Sequence, residues 1–305
     1  MFITSFLKRL SSGNAYSLEY YDKMIPVVDF RPGIQHHIFQ TNRTKTQSSS
    51  KIIAGIRQLQ SLNPDWEYRL FDDQDIENYI KKYYGKAIFS YYSRIDSHYG
   101  AAKADFFRYL IVYREGGVYL DIKSTVTRPL SELLQEGDSY LLSYWNNLPG
   151  EEYEGFGHYP GLPNYIERGE FIQWYLAAAA GHPLLRKVIA TLLQRIDSYN
   201  PYVDGVGWTG TLLTTGPIMY TKTVYDALLS EPDKYPVRWL DIIGTGGFKY
   251  SVFDSQRQET SVQPPHTVAL ATNYRKASAP LILHKSKVLN SINRIYLKIL
   301  SYRHS

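Results

Sequence analysis

The sequence predicts an α/β fold with a largely parallel sheet flanked by helices. Three observations carry that prediction. Strand-like apolar runs alternate with helix-patterned segments through the first half of the chain, clusters of Gly, Pro, Asn and Asp separate them, and a central unit runs helix, Gly116-Gly117, strand.

Taken in order, Met1 to Leu10 sets Phe2, Ile3, Phe6, Leu7 and Leu10 beside Lys8 and Arg9, an amphipathic pattern. It is too short to span a bilayer and has no small-residue cleavage site, so it does not read as a signal peptide. Residues 11–33 are polar and turn-rich and read as a lead-in segment. Ile34 to Thr41 is the first candidate strand. Ser48-Ser49-Ser50 can cap a helix running to about Leu62, with Ile52, Ile56 and Leu59 on its apolar face. Asn63-Pro64-Asp65 turns the chain into a second strand, Trp66 to Phe71. Asp72 and Asp73 then open a helical stretch through Lys82, their charge suited to its positive end. A further helix is expected over Ala87 to Tyr99, and another over Ala101 to Glu115.

The second half is less regular. Asp138 to Trp145 is a candidate strand, and Leu148 to Gly169 a long loop of the kind that carries function. Phe171 to Ala180 reads equally as a buried strand or a short helix. Pro183 to Tyr199 is a helix with Pro183 in its first turn. Gly210 to Tyr220 precedes a helix to about Leu229, residues 231–280 are rich in turn formers, and Leu281 to His284 closes the fold. Leu289 to Arg303 is amphipathic and basic. With no internal repeat and no clear linker, the division is a lead-in over 1–33, one domain over 34–288 and a C-terminal helix over 289–305.

Composition narrows the chemistry. The 305 residues can bury a substantial core, and 44% hydrophobic with 21% charged residues is ordinary for a globular protein. The absence of cysteine excludes disulfides, thiolate catalysis and zinc–thiolate sites and fits a reducing compartment, so the expectation is cytoplasmic. A net charge of +5 favours anionic ligands or a membrane surface, yet Lys and Arg are scattered and form no nucleic-acid stripe. The 28 tyrosines suit either a wet cleft that stacks on rings or a simple compositional bias. Either basic amphipathic end could lie on an anionic membrane as a peripheral contact, or pack on the body of the protein.

The chemistry-bearing residues gather around Glu115-Gly116-Gly117-Val118-Tyr119-Leu120-Asp121-Ile122-Lys123. A buried strand would deliver Asp121 to the sheet edge, with Lys123 leaving the same face. On the preceding helix Asp105 and Arg108 are three apart and therefore neighbours. Helix, glycine break and strand bring two acids and two bases towards one place. The plainer alternatives are a surface ion pair for Asp105 and Arg108, a strand end for Asp121, and a structural role for His284 at the end of its apolar run. Asp72 and Asp73 read as helix-start residues, His36 and His37 as structural, and Trp145, Trp174 and Trp208 as core more readily than sugar platforms.

These residues carry a family resemblance. Asn63-Pro64-Asp65-Trp66-Glu67-Tyr68-Arg69-Leu70-Phe71-Asp72-Asp73 resembles a conserved segment of glycosyltransferase family 32, the yeast-type α-1,6-mannosyltransferases and their bacterial and viral relatives. Ala101-Ala102-Lys103-Ala104-Asp105-Phe106-Phe107-Arg108-Tyr109 followed by Gly116-Gly117-Val118-Tyr119-Leu120-Asp121 resembles the family core, which the glucosylating bacterial toxins share. Gly181-His182-Pro183, Thr215-Gly216-Pro217 and His284 match weaker positions in the same order. The resemblance implies an A-type glycosyltransferase fold, Rossmann-like with a mixed, mostly parallel sheet. It also implies transfer of a sugar from a nucleotide-diphospho-sugar to a glycan or glycolipid acceptor, with retention at the anomeric carbon. Asp105 and Arg108 would hold donor hydroxyls, and Asp121 the ribose and sugar or a metal. Phe39 and Gln40, at the position of a family His-Gln-Thr-Trp segment, would border the nucleotide.

The main departure is Lys123, which stands where the family has a second acid ligating Mn²⁺ or Mg²⁺. Either the Lys123 ammonium reaches the departing diphosphate and does part of the cation's work, or Asp121 and His284 still hold a hydrated divalent ion beside it. Metal independence is the favoured expectation. Two rival functions differ in class. One is a non-catalytic carbohydrate-binding or regulatory relative, on the strength of the lost acid. The other is a phosphatase with Asp121 as nucleophile, opposed by Lys123 standing where its general acid belongs.

Overall fold

The structure, a computed structural model, describes residues 2–11, 13, 15–46, 48–151, 153–241, 246–253, 275 and 277–303. Its centre is a four-stranded sheet built from β1 (His37–Thr41), β2 (Glu67–Phe71), β3 (Gly117–Leu120) and a strand of the second half, Tyr175–Ala178. The strand order is β2, β1, β3, then Tyr175–Ala178. β1 pairs in parallel with β2, His37 opposite Glu67, and with β3, Ile38 opposite Val118. The strand Tyr175–Ala178 runs antiparallel to β3, with Val118 opposite Ala177. This is the α/β fold with a mixed, mostly parallel sheet that the alternating pattern predicts.

The sheet is covered on both faces, as parallel sheets usually are. Alternation sends Phe39, Tyr119 and Leu176 into a large core against α4 (Asp73–Ser93), α5 (Gly100–Glu115) and two later helices. Ile38, Val118, Leu120 and Ala177 face a second core containing Leu59 of α3 (Ser50–Leu62), Trp66, Trp145 and Trp174. Much of the tyrosine excess serves the first core. Tyr84 donates to the Leu110 carbonyl at 2.6 Å and Tyr109 to that of Thr215 at 2.9 Å, so each brings a large apolar body inward while keeping its hydroxyl partnered.

Local chemistry fixes the elements that carry the site. Ser49 caps α3 by accepting from the Ile52 amide, and Asp72 and Asp75 form a reciprocal capping box at the start of α4. The two helices expected over 73–82 and 87–99 are one element bent at Gly85, whose φ is +73°. Between α5 and β3, Gly116 and Gly117 take φ of +67° and +116°. A side chain at Gly116 would collide with the Gln35 amide and the Ala180 backbone, and one at Gly117 with the His37 carbonyl. Only glycine allows so short a connection from helix to strand.

The remaining elements are α1 (Phe2–Leu10), α2 (Leu18–Met24), β4 (Thr125–Val126), α6 (Leu130–Leu133) and β5 (Leu141–Leu142). They are followed by β6 (the Tyr175–Ala178 strand), α7 (Pro183–Ser198), α8 (Gly207–Thr214), α9 (Pro217–Ser230), β7 (Arg238–Trp239), β8 (Phe248–Lys249) and α10 (Lys287–Arg303). Three corrections to the expected elements follow. The lead-in contains α2, which packs on α7 through a fully buried Tyr21 and an ion pair from Asp22 to Arg186 of 2.6 Å. The ambiguous stretch 171–180 contains a strand, because its Ala-rich end fits flat between the two cores. Residues 207–214 form a helix that Gly and Thr, weak helix formers, had concealed. Parts of the turn-rich stretch 231–280, at 242–245, 254–274 and 276, lie outside the described residues.

Candidate active site

Four charged side chains meet where α5 passes the exit of β3. Arg108 spans two acids with one guanidinium nitrogen, Nη2 lying 3.2 Å from Asp105 Oδ1 and 2.8 Å from Asp121 Oδ1. The other oxygen of Asp121 is 3.4 Å from Lys123 Nζ. The chain Asp105–Arg108–Asp121–Lys123 is therefore continuous, as the spacing of helix and strand implied. Asp105, Arg108 and Lys123 are buried, whereas the Asp121 side chain keeps 24% of its surface.

The backbone holds the group rigidly. The Asp121 amide donates to the carbonyl of Trp174, the residue just before the antiparallel strand, at 2.8 Å, and Ser124 N closes a turn onto the Asp121 carbonyl at 2.7 Å. Gln40 completes the turn, its amide nitrogen donating to the carbonyls of Asp121 and Ser124 at 3.0 and 3.2 Å while Tyr68 donates to its oxygen. Val252 N donates to the Lys123 carbonyl at 2.7 Å, tying the site to the segment that follows β8.

Burial and pairing set the electrostatics. Desolvation pushes Asp105 up to about 7, against the lowering effects of Arg108 and of the Thr215 hydroxyl that donates to it at 2.9 Å. Burial alone would weaken the charge on Arg108, but Asp121, Tyr119 and Asp105 around it outweigh that and raise its pKa. Its guanidinium also donates to the Gln173 carbonyl and lies 4.7 Å over the Tyr119 ring. Arg108 and Lys123 thus flank Asp121, while Asp105 takes up a proton near neutrality, an arrangement with positive charge to offer an anion.

An aromatic wall continues from Lys123. Its ammonium sits 4.3 Å above the Tyr250 ring, which packs against Trp174 and Trp145. Trp145 Nε1 donates to Glu170 Oε1 at 2.9 Å, and burial raises Glu170 to about 8. Segment 148–169 covers this wall, Tyr153 and Phe156 lying against Trp145. Trp145 and Trp174 are core residues, as their alternative reading had it, but core immediately behind the site.

Some expected contacts fall elsewhere. Phe39 is wholly buried against Phe71 with the Arg69 guanidinium over its ring, so its side chain does not border a nucleotide. The Gln40 amide is spent on the turn it braces. His284 lies at the mouth of α10, where its backbone amide donates to Asn290 and its Nδ1 accepts from Ser286 N. Burial, with Arg94 and Lys285 nearby, lowers its pKa. The His284 contacts are thus to the start of α10 rather than to the four-residue chain. Asp121 already has Arg108 on one oxygen and Lys123 on the other, and among the described residues no group of three or more His, Asp or Glu side chains gathers to ligate an ion. This donor set does not fit a hard divalent cation, which needs several free oxygens. Thr215, Gln173 and Tyr250 are site residues the sequence reading missed or left without a role. Only Thr215 carried a signal, its place in Thr215-Gly216-Pro217.

Two clefts of about 350 and 500 Å³ lie on the α4 flank, the first lined by Lys45, Arg69 and Tyr79, the second by Asp29, Arg31 and Arg114. Neither includes a member of the four-residue chain.

Known proteins match this framework. Residues 49–140, running from the start of α3 through α6 to the edge of β5, match the family described as glycosyltransferase sugar-binding region containing DXD motif. The initiation-specific α-1,6-mannosyltransferase of Candida albicans is 28% identical over 204 residues, covering 59% of this chain and 50% of that protein. Inositol phosphoceramide mannosyltransferase 3 of Schizosaccharomyces pombe is 25% identical over 226 residues, covering 73% and 52%. The chain spans about half the length of the curated relatives it matches. Among solved structures, the PaToxG glycosyltransferase aligns over 70% of this chain and 75% of its own, with 16% identity and a TM-score of 0.44. The family model and the mannosyltransferase relatives together make residues 49–140 similar to the sugar-binding region of DXD-motif glycosyltransferases, the likeness expected from the sequence.

Proposed function

We propose that this protein moves a hexosyl group, mannose being the first candidate, from a nucleoside-diphosphate sugar to a hydroxyl of a glycan or glycolipid, with retention at the anomeric carbon. We further propose that it does so without a divalent cation. The relatives' names support the hexose and acceptor classes: one set initiates α-1,6-mannosyl chains and another mannosylates inositol phosphoceramide. The observation that carries the reading is the Asp105–Arg108–Asp121–Lys123 chain at the exit of β3.

In the transfer, the bond from the anomeric carbon to the β-phosphate oxygen breaks and a bond from the acceptor oxygen forms. The acceptor proton ends on the released diphosphate or in solvent. Negative charge grows on the departing phosphate, and a cation fixed beforehand lowers that barrier without reorganising. Lys123 is the cation placed for this role, held between Asp121 and Tyr250. Asp121, the most exposed of the four, faces the donor, while Arg108 and Asp105 behind it set its position. Loop 148–169 borders the same wall and supplies acceptor contacts.

The test is binding and turnover against a panel of GDP-, UDP- and other nucleotide sugars in excess chelator, read by thermal shift and by release of nucleoside diphosphate. Stabilisation by one nucleotide class together with release supports the reading. Binding with no release from any sugar assigns a non-catalytic carbohydrate-binding role, and hydrolysis of p-nitrophenyl phosphate instead would assign the phosphatase chemistry.

A further inference from the structure

We propose that α1 and α10 together form a docking face for an anionic lipid bilayer. The proposal is independent of the sugar-transfer reading and rests on how the fold joins the two ends of the chain. Thr4 Oγ1 of α1 and the Tyr296 hydroxyl of α10 are 2.7 Å apart, Asn293 Nδ2 donates to Ser11 Oγ at 3.0 Å, and Asn200 donates to the Lys8 carbonyl at 2.7 Å. Leu7, Leu289, Asn293 and Leu297 are buried in the contact. The two helices therefore lie side by side on the body, which answers the either-or of the sequence: each end packs on the protein with one face and leaves another outside.

That outer face is apolar to a degree a water-facing helix does not need. On α10, Val288, Ile292, Ile295 and Ile299 follow the i, i+4, i+7, i+11 spacing of one helical stripe, Val288 being 70% and Ile295 64% exposed. On α1, Phe6 and Leu10, one turn apart, are exposed as well, Phe6 by 58%. Single exposed apolar residues are ordinary, but six on one helix pair mark a binding surface.

Charge selects the occupant. α1 carries Lys8 and Arg9, α10 carries Lys287, Arg294 and Lys298, and neither contains an Asp or Glu, although the whole chain has 29 acids. Arg294 turns inward to Asp96 at 2.5 Å, so it serves the fold. An apolar stripe on acid-free, basic helices is the pattern of a segment lying in a bilayer interface, with hydrocarbon below and anionic headgroups beside the bases. A second copy of the chain fits poorly, because two such faces would set like charges against each other. Among the described residues no helix is long and apolar enough to cross a membrane, so contact through this face would lie in the interface.

The test is co-flotation of the full chain with phosphatidylcholine vesicles, with and without phosphatidylglycerol. Flotation with the anionic vesicles that weakens severalfold in neutral ones or at high salt is expected. The pair Ile292→Glu with Ile295→Glu should lower partitioning on the order of tenfold or more, since each places a charge where hydrocarbon is expected. Lys298→Glu should lower it severalfold on anionic vesicles. Both changes sit on the helix surface, and an unchanged thermal midpoint confirms that folding is not what moved. Failure to float with anionic vesicles, or equal flotation by both variants, overturns the proposal. So does a dimer in solution that the apolar-face variant dissociates, which would give the face to a second copy.

Discussion

Arg108 Nη2 lies 2.8 Å from Asp121 Oδ1, joining the middle of α5 to the exit of β3 across the two positive-φ glycines. The same guanidinium serves Asp105 and the Gln173 carbonyl, so one planar side chain satisfies three acceptors. Lysine has one point charge and cannot hold that fork. Arg108→Ala is expected to destabilise the fold by about 3–5 kcal/mol, the range for removing one partner of a buried pair. Arg108→Lys should recover only part of that loss, measured by urea denaturation beside the wild type. Equal stability of both variants and the wild type would mean that the chain of charges does not hold together.

The connection between α5 and β3 makes its own prediction. Gly117→Ala introduces a Cβ against the His37 carbonyl at φ of +116°. The strained backbone should cost about 1–3 kcal/mol, and displacement of β3 should lower activity along with stability. Gly85→Ala is the control: its φ is also positive, but nothing lies within 4 Å of the added carbon, so it should cost less. Thermal unfolding of the two variants ranks them.

Glu170 predicts a pH dependence. Its folded pKa, about 8, lies above the ordinary carboxylate value because the group is buried, which outweighs the lowering effect of the hydrogen bond from Trp145 Nε1. Between the unfolded value of 4.5 and about 8 the folded state holds a proton the unfolded state has released. The contribution of this group therefore favours folding at acid pH and is lost as pH rises through that window. Glu170→Gln should flatten the alkaline side of the stability profile. His182 acts with the opposite sign. Burial holds it at about 4, so its contribution is lost as pH falls below the usual imidazole range. Denaturation midpoints across the range for wild type, Glu170→Gln and His182→Asn separate the two; an unchanged slope in Glu170→Gln contradicts the assignment.

What was legible in the sequence was local. An i, i+3 pair on a helix and an acid at a strand exit are short-range facts, and they located Asp105, Arg108, Asp121 and Lys123 together. Ser49, Asp72 and Pro183 marked helix starts for the same reason. The residues that complete the site come from far along the chain: Thr215 reaches Asp105 across 110 positions and Gln173 reaches Arg108 across 65. No periodicity encodes such closures. The burial of Phe39 and Gln40 was not legible because β1 looks like any strand, whereas its place between β2 and β3 buries both of its faces. His284 took its environment from α10, which a residue at the end of an apolar run does not reveal.

The central claim is that a fixed ammonium at Lys123 does the work a second acid and its metal would otherwise do. The most direct measurement is release of nucleoside diphosphate from the preferred nucleotide sugar in excess chelator, for wild type, Lys123→Ala and Lys123→Asp. Wild type should keep its rate, Lys123→Ala should lose about 10²–10³-fold while remaining folded, and Lys123→Asp should respond to added Mn²⁺. A wild-type rate abolished by chelator and restored by Mn²⁺, or wild-type turnover by Lys123→Ala, would contradict it.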